Sequence, residues 1–334
     1  MRHGRGLIAL GLTVLASGLS RQEAPRASTA RHVQIEMRNV QLHVDDGIVL
    51  AIDRLRGEMI SRSEGKPPVF DDPKSYVLNV SSGAMSMDME SLTALMNRHV
   101  FNYDGAPLSD VKVKATDDGR LDQSGKLHKG IVVPFSMKAT VSATPDGRLK
   151  LHTDSIKAAG VPVKGLLEFF GLKLEDVADL ERRRGLSASD NDIMIAVGQV
   201  LPPPEMKGRL SKVTVVGNRL VQTFGSEDGK REPALRPPDP RARNYIYFGG
   251  GTITFGKLTM SDSDLQLIDA DMRDPFDFFP AHYDKQLVAG YSKNTPQRGL
   301  KTYMPDYADL RRGPIQPSAP SKDPRARSEA PRER

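Results

Sequence analysis

PFSMKATVSATPDGRLKLHTDSI, residues 134–156, is the stretch that decides the fold. Phe135, Met137, Ala139, Val141 and Ala143 are apolar, and Ser136, Lys138, Thr140 and Ser142 stand between them. Successive side chains of an extended chain point to opposite faces, so a period of two gives one apolar face and one polar face. Asp146-Gly147 interrupts the run, and Leu149 and Leu151 resume it. Asp-Gly between alternating runs supplies the positive backbone angles of a tight hairpin turn. The stretch predicts two antiparallel strands with a single apolar face, which needs a core to lie on.

The same pattern recurs on both sides. Upstream, Val111, Val113 and Ala115 alternate ahead of Asp118-Gly119; downstream, Gly217-Asn218 separates Val213–Val216 from Leu220–Phe224. Near the start, Val33, Ile35 and Met37 alternate with His32, Gln34 and Glu36. Val40, Leu42 and Val44 continue after a one-residue slip, which predicts a bulge. Asp45-Asp46-Gly47 turns the chain back into Ile48–Leu55, and Tyr76, Leu78 and Val80 alternate again. Past residue 244, Tyr245–Phe248, Thr252–Phe255, Lys257–Met260 and Asp264–Ile268 read as further strands.

Two stretches have a helical period instead. In Met87–Phe101, Leu92, Leu95, Met96, His99 and Val100 share a face, with Ser86 or Asp88 available as N-cap. Lys164–Arg184 places Leu166, Leu167, Phe170, Leu174, Val177 and Leu180 mostly along one side, and Gly171 divides it. The fold class expected is α+β and β-dominated: a long curved antiparallel sheet wrapped around one or two helices, with additional C-terminal strands.

Charge and composition bound the function. The chain of 334 residues has a net charge of +6, with 38% hydrophobic and 27% charged residues. The excess lies at the ends. Residues 1–20 carry Arg2 and Arg5 and no acid, and residues 311–334 carry seven Lys/Arg against three acids. The span between is close to neutral, whereas a nucleic-acid domain shows its basic excess on the folded surface. Nucleic acid is therefore not an expected partner. Arg2 and Arg5 followed by the short apolar run Leu7–Leu19 read as a signal peptide over 1–20, with a polar tether over 21–31. The expected localisation is the periplasm or outside the cell, with an uncleaved anchor as the other outcome. Cys is absent, so there is no disulfide framework, thiolate metal site or acylation cysteine. The expected plan is a main domain over 32–225, a linker or exposed loop over 226–243, strands packing on the same domain over 244–310, and a disordered tail over 311–334.

From Met85 to Gly225 the order of elements is specific. A helix reading MESLTALMNRHVF is followed by hairpins reading VKVKATDDGRLDQSGKL and PFSMKATVSATPDGRLKLHTDSI. Then come the apolar helix KGLLEFFGLKLEDVADL and a proline-led close, LPPPEMKGRLSKVTVVGNRLVQTFG. This stretch, somewhat under half the chain, resembles the LmeA-like phospholipid-binding proteins of bacterial envelopes, members of the tubular lipid-binding (TULIP) superfamily. The resemblance lies in element order and texture, and residues 245–310 fall outside it. It implies a strongly curved sheet around a helix, leaving an apolar groove for acyl chains. The residues expected to line that groove are Leu92, Leu95, Met96, Val100 and Phe101 from the first helix. Leu166, Leu167, Phe169, Phe170 and Leu174 are expected from the second. The expected partner is a lipid or another apolar ligand, with peripheral membrane contact and no cofactor. The Met count of 13 supplies adaptable side chains for such a guest. The alternative is a structural or scaffolding module with a fully packed interior that binds a protein partner.

Catalytic constellations are not legible. The seven histidines make no HxH or HExxH spacing, and neither a GxSxG elbow nor a P-loop occurs. Gly249-Gly250-Gly251 precedes a strand-like run, which makes it a turn and not a phosphate cradle. Asp262, Asp264, Asp269, Asp271, Asp274 and Asp277 form one dense acidic cluster. It lacks the EF-hand pattern, so calcium is a minor expectation, and a hydrolase built on these carboxylates is the least favoured reading. No enzymatic activity and no metal are expected.

Overall fold

The computed structural model describes residues 32–165, 169, 185–189, 191–225 and 234–312. The expected leader and tether, nearly all of the tail, and the second helix apart from its first two residues and Phe169 lie outside them. The fold is α+β and β-dominated, with 55% strand and 12% helix, and its antiparallel sheet curls into a half-barrel. Among the described residues no helix is long and apolar enough to cross a membrane.

Three long strands begin it: β1 (His32–Asp45), β2 (Ile48–Ser61) and β3 (Tyr76–Asp88), paired antiparallel in sequence order. Each buries alternate residues, then slips by one and continues. Buried positions pass from Met37 to Val40 in β1, from Ile52 to Leu55 in β2, and from Val80 to Gly83 in β3. Asn39 takes a φ of 49° at the first of these points, and the β2–β3 register shifts between Arg56 and Gly57. Slips on neighbouring rungs bend the ribbon while keeping its apolar side inward. The slip expected after Met37 is present in the burial phase, but Asn39 and Asp53 are skipped together, so β1 and β2 keep their register there; the β2–β3 register shifts instead, at Ile52/Arg54 and Arg56/Gly57.

Helix α1 (Met89–Leu95) follows directly, and a π turn over Met96–Val100 extends it. The second sheet comes next: β4 (Leu108–Ala115), β5 (Leu121–Lys129), β6 (Ile131–Ala143), β7 (Leu149–Ala158), β8 (Val161–Pro162), β9 (Leu186–Ser189) and β10 (Asp192–Ile195). Their order is β4-β5-β6-β7-β10-β9, with β8 on β7. Gly119 and Gly147 have φ of 77° and 84°, as the two Asp-Gly turns require.

The chain then returns to the first sheet through β11 (Glu205–Gly208), β12 (Leu210–Val216) and β13 (Arg219–Phe224), with β13 antiparallel to β3. The C-terminal strands are β14 (Tyr245–Gly249), β15 (Thr252–Phe255), β16 (Leu258–Ser261), β17 (Asp264–Asp269), β18 (Phe276–Phe278), β19 (Tyr291–Asn294) and β20 (Leu300–Met304). β14 extends the first sheet from β1, and β17, β20 and β19 continue it. Residues 234–243, expected as linker or exposed loop, are partly anchored. Asp239 is buried and accepts from the Tyr303 hydroxyl at 3.0 Å, and Leu235 and Ala242 pack on Tyr245 and Tyr247. One continuous apolar core takes side chains from both sheets and α1.

Candidate functional site

The site begins at a cap. Asp88 Oδ1 accepts the Ser91 N–H at 2.7 Å, which starts α1 where β3 ends. Asp88 therefore fills the cap role for which Ser86 was the other choice, and the helix begins later than the expected Met87. On its outer side, α1 continues a sheet. β4 is the edge strand of the second sheet, and an edge leaves backbone groups unpaired. Asn97 answers with both ends of its amide, donating to the Val111 carbonyl at 2.7 Å and accepting the Val111 N–H at 2.9 Å. Thr93 Oγ1 accepts the Val113 N–H at 3.0 Å. On the other side the Val49 N–H donates to Ser91 Oγ at 3.2 Å, tying the helix to β2.

The π turn changes which side chains face inward. Phe101 N–H donates to Met96 O at 2.9 Å, a five-residue step in place of four. Val100 is buried, whereas His99 turns aside and its Nε2 meets Asp45 Oδ2 at 2.8 Å. Burial alone would raise the Asp45 carboxyl; the bonds from His99 and the Asp46 N–H and the charge of Arg98 outweigh it and hold it below the usual range. His99, which helical spacing placed with the apolar face, is thus a clasp.

Between α1 and the sheets lies a partly open cavity of about 150 Å³. Leu92, Leu95, Met96, Val100 and Phe101 all line it. The first sheet adds Leu50, Met85, Met87, Leu220 and Gln222. From the second come Gln123, Met137, Leu149, Leu151, Ile193 and Ile195, and the turn after β10 adds Val197, Val200 and Leu201. Tyr103, Gln123, Ser187 and Gln222 are its polar side chains, and no charged residue is among them. Of the residues expected from the second helix, Phe169 is buried in the core, edge-on to Phe135 at 5.4 Å between ring centres, and is not among those lining the cavity. Leu166, Leu167, Phe170 and Leu174 lie outside the described residues. The strand residues were missed because alternation says which side chains point inward, not where the inward side chains fail to meet.

The acidic cluster divides. Asp269 and Asp274 join Asp306, which sequence proximity did not include, with one carboxylate oxygen of each within 4.8 Å of the others. Asp269 accepts from Asn244 Nδ2 at 3.0 Å and from the Asp271 N–H at 2.8 Å, and Asp306 accepts the Asp277 N–H at 2.8 Å. Burial, with the neighbouring acids, pushes Asp269 up to about 6 and Asp306 up to about 7. Asp271 is held by Arg273, Asp277 by His43, and Asp264 accepts from the Tyr247 hydroxyl. These bonds lock a loop. The histidines are dispersed: His32 meets Glu58, His128 meets Ser109 and His152 meets Asp192.

Set beside protein-family models, curated proteins and solved structures, the chain matches none of them.

Proposed function

We propose that this chain is an exported, non-catalytic binding protein of the bacterial cell envelope that buries part of a lipid acyl chain between α1 and its two sheets. The observation that carries the reading is the apolar cavity of about 150 Å³, lined by the first helix as the resemblance to LmeA-like proteins implies. At roughly 30 Å³ per water-sized unit the space takes about five methylenes. At about 0.8 kcal/mol each they contribute about 4 kcal/mol, which alone is millimolar affinity. Firm retention therefore requires contacts beyond the cavity, at its mouth or at a membrane.

A surface for the second kind exists. Ile131, Val132 and Val161 are 71%, 57% and 64% exposed. Pairing places them at one end of the second sheet, where the Ala159 N–H donates to Pro134 O. Lys157 and Lys164 are exposed around them, as are His128, which bonds Ser109, and Lys126, which pairs with Asp110 at 2.7 Å. An apolar tip flanked by exposed lysines suits an anionic bilayer surface, where each Lys near the surface contributes about 1 kcal/mol.

Native mass spectrometry after gentle purification should show co-purified lipid, and the protein should take up a fluorescent phospholipid. Protein that is repeatedly empty and takes up none rejects the reading. A scaffolding role is the second reading, favoured by the exposed Leu287 and Val288 on the short helix Tyr283–Ala289, the latter 82% exposed. It predicts loss of a protein partner, with lipid content unchanged, when Val288 becomes Glu.

A further inference from the structure

One wall of the cavity holds a polar atom that the fold leaves alone. Gln222 lies on β13, is 4% exposed, and its Oε1 has no hydrogen-bond partner. Among the described residues no other buried side-chain oxygen or nitrogen is in that state. The inward positions of β13 are Leu220, Gln222 and Phe224. A leucine at 222 would continue that wall, whereas a buried acceptor without a donor destabilises the fold. Gln123 faces the same cavity from β5, also buried, in phase with Leu121 and Leu127. Each sheet thus brings one amide into a space whose other polar side chains, among the described residues, are Tyr103 and Ser187.

Among the described residues the wall carries no Lys or Arg, so a carboxylate or phosphate buried against it would lose its hydration uncompensated. The complement is a neutral group. A hydroxyl fits whichever way the amide is turned, because it donates to Oε1 or accepts from Nε2. We infer that the guest of this cavity is an apolar molecule bearing a hydroxyl, and that the hydroxyl binds Gln222. This rests on the cavity being a binding site, as proposed above.

The test measures binding of 1-hexanol, 1-fluorohexane and hexanoate to the full chain by calorimetry. These probes match the cavity in length and differ in the terminal group. Wild type binds 1-hexanol five- to tenfold more tightly than 1-fluorohexane, about 1–1.4 kcal/mol at 1.4 kcal/mol per decade, and binds hexanoate least. In Gln222→Leu that preference disappears, 1-fluorohexane is retained, and the thermal midpoint holds or rises. Gln222→Met is the substitute should Leu fold poorly. Equal binding of alcohol and fluoride by wild type, or a preference that survives in the variant, overturns the inference and leaves the carrier reading standing. Failure of all three probes to bind wild type at millimolar concentration overturns the inference, and the phospholipid-uptake assay decides the carrier reading separately.

Discussion

Gly57 occupies an inward position of β2 where β3 crosses the bulge, and a Cβ built there would lie 2.2 Å from the Asn79 carbonyl oxygen. The neighbour is backbone, so it yields only if the strands separate. Gly57→Ala should cost about 1–3 kcal/mol in urea unfolding, the range for overfilled interiors, and a variant as stable as wild type would show that the bend relaxes freely. Asp269 and Asp306 act in the same currency through protons. Their folded values of about 6 and about 7 exceed the ordinary 3.8, so between roughly pH 4 and 7 the folded chain holds protons that an unfolded one has released. Their contribution is complete below the unfolded value and is lost as pH rises through the folded values. Asp306→Asn should therefore raise stability at pH 8 by at least about 1 kcal/mol, the worth of roughly one pKa unit, and change little at pH 4. A stabilisation that is equal at both pH values would contradict this origin.

At the scale of elements, the tie between α1 and the edge of β4 sets the shape of the cavity. Asn97→Ala removes both bonds to Val111 and leaves a strand N–H and carbonyl without partners. A loss of about 1–3 kcal/mol per stranded group follows, together with weaker uptake of an apolar dye, and unchanged uptake would mean that the helix is held by packing alone. How much of this was legible follows from periodicity. Leu92, Leu95 and Met96 were readable as an inward face because the first turns are α-helical. His99 was misread because the step from Met96 to Phe101 is five residues long, which shifts the inward face to Val100. Gln123 and Gln222 were invisible as site residues, since a polar residue in an inward phase looks like a flaw until the cavity beside it is seen. Asp306 reached Asp269 and Asp274 only through the parallel pairing of β17 with β20, a long-range contact with no local trace.

Across the whole molecule, the hairpins read from Asp-Gly turns all formed, because each is a local event with its own turn chemistry. Which sheet a hairpin joins was beyond the pattern. β11 and β13 pair with β3 of the first sheet, β12 lies outside β13, and β14 pairs with β1 on the opposite side. That arrangement leaves the far end of the second sheet, with Ile131, Val132 and Val161, away from these pairings and free to meet another phase. If the tip is the membrane contact, its two contributions separate experimentally. Ile131→Glu with Val132→Glu replaces two apolar anchors by acids, and should lower co-sedimentation with anionic vesicles by at least tenfold. The lysines around the tip act through screened charge, so raising salt from 50 to 500 mM should weaken wild-type binding and have less to remove in the variant. The cavity is lined by other residues, so uptake of a short soluble probe should be the same in both proteins. Vesicle binding that is indifferent to the double substitution would mean that this end does not meet the bilayer.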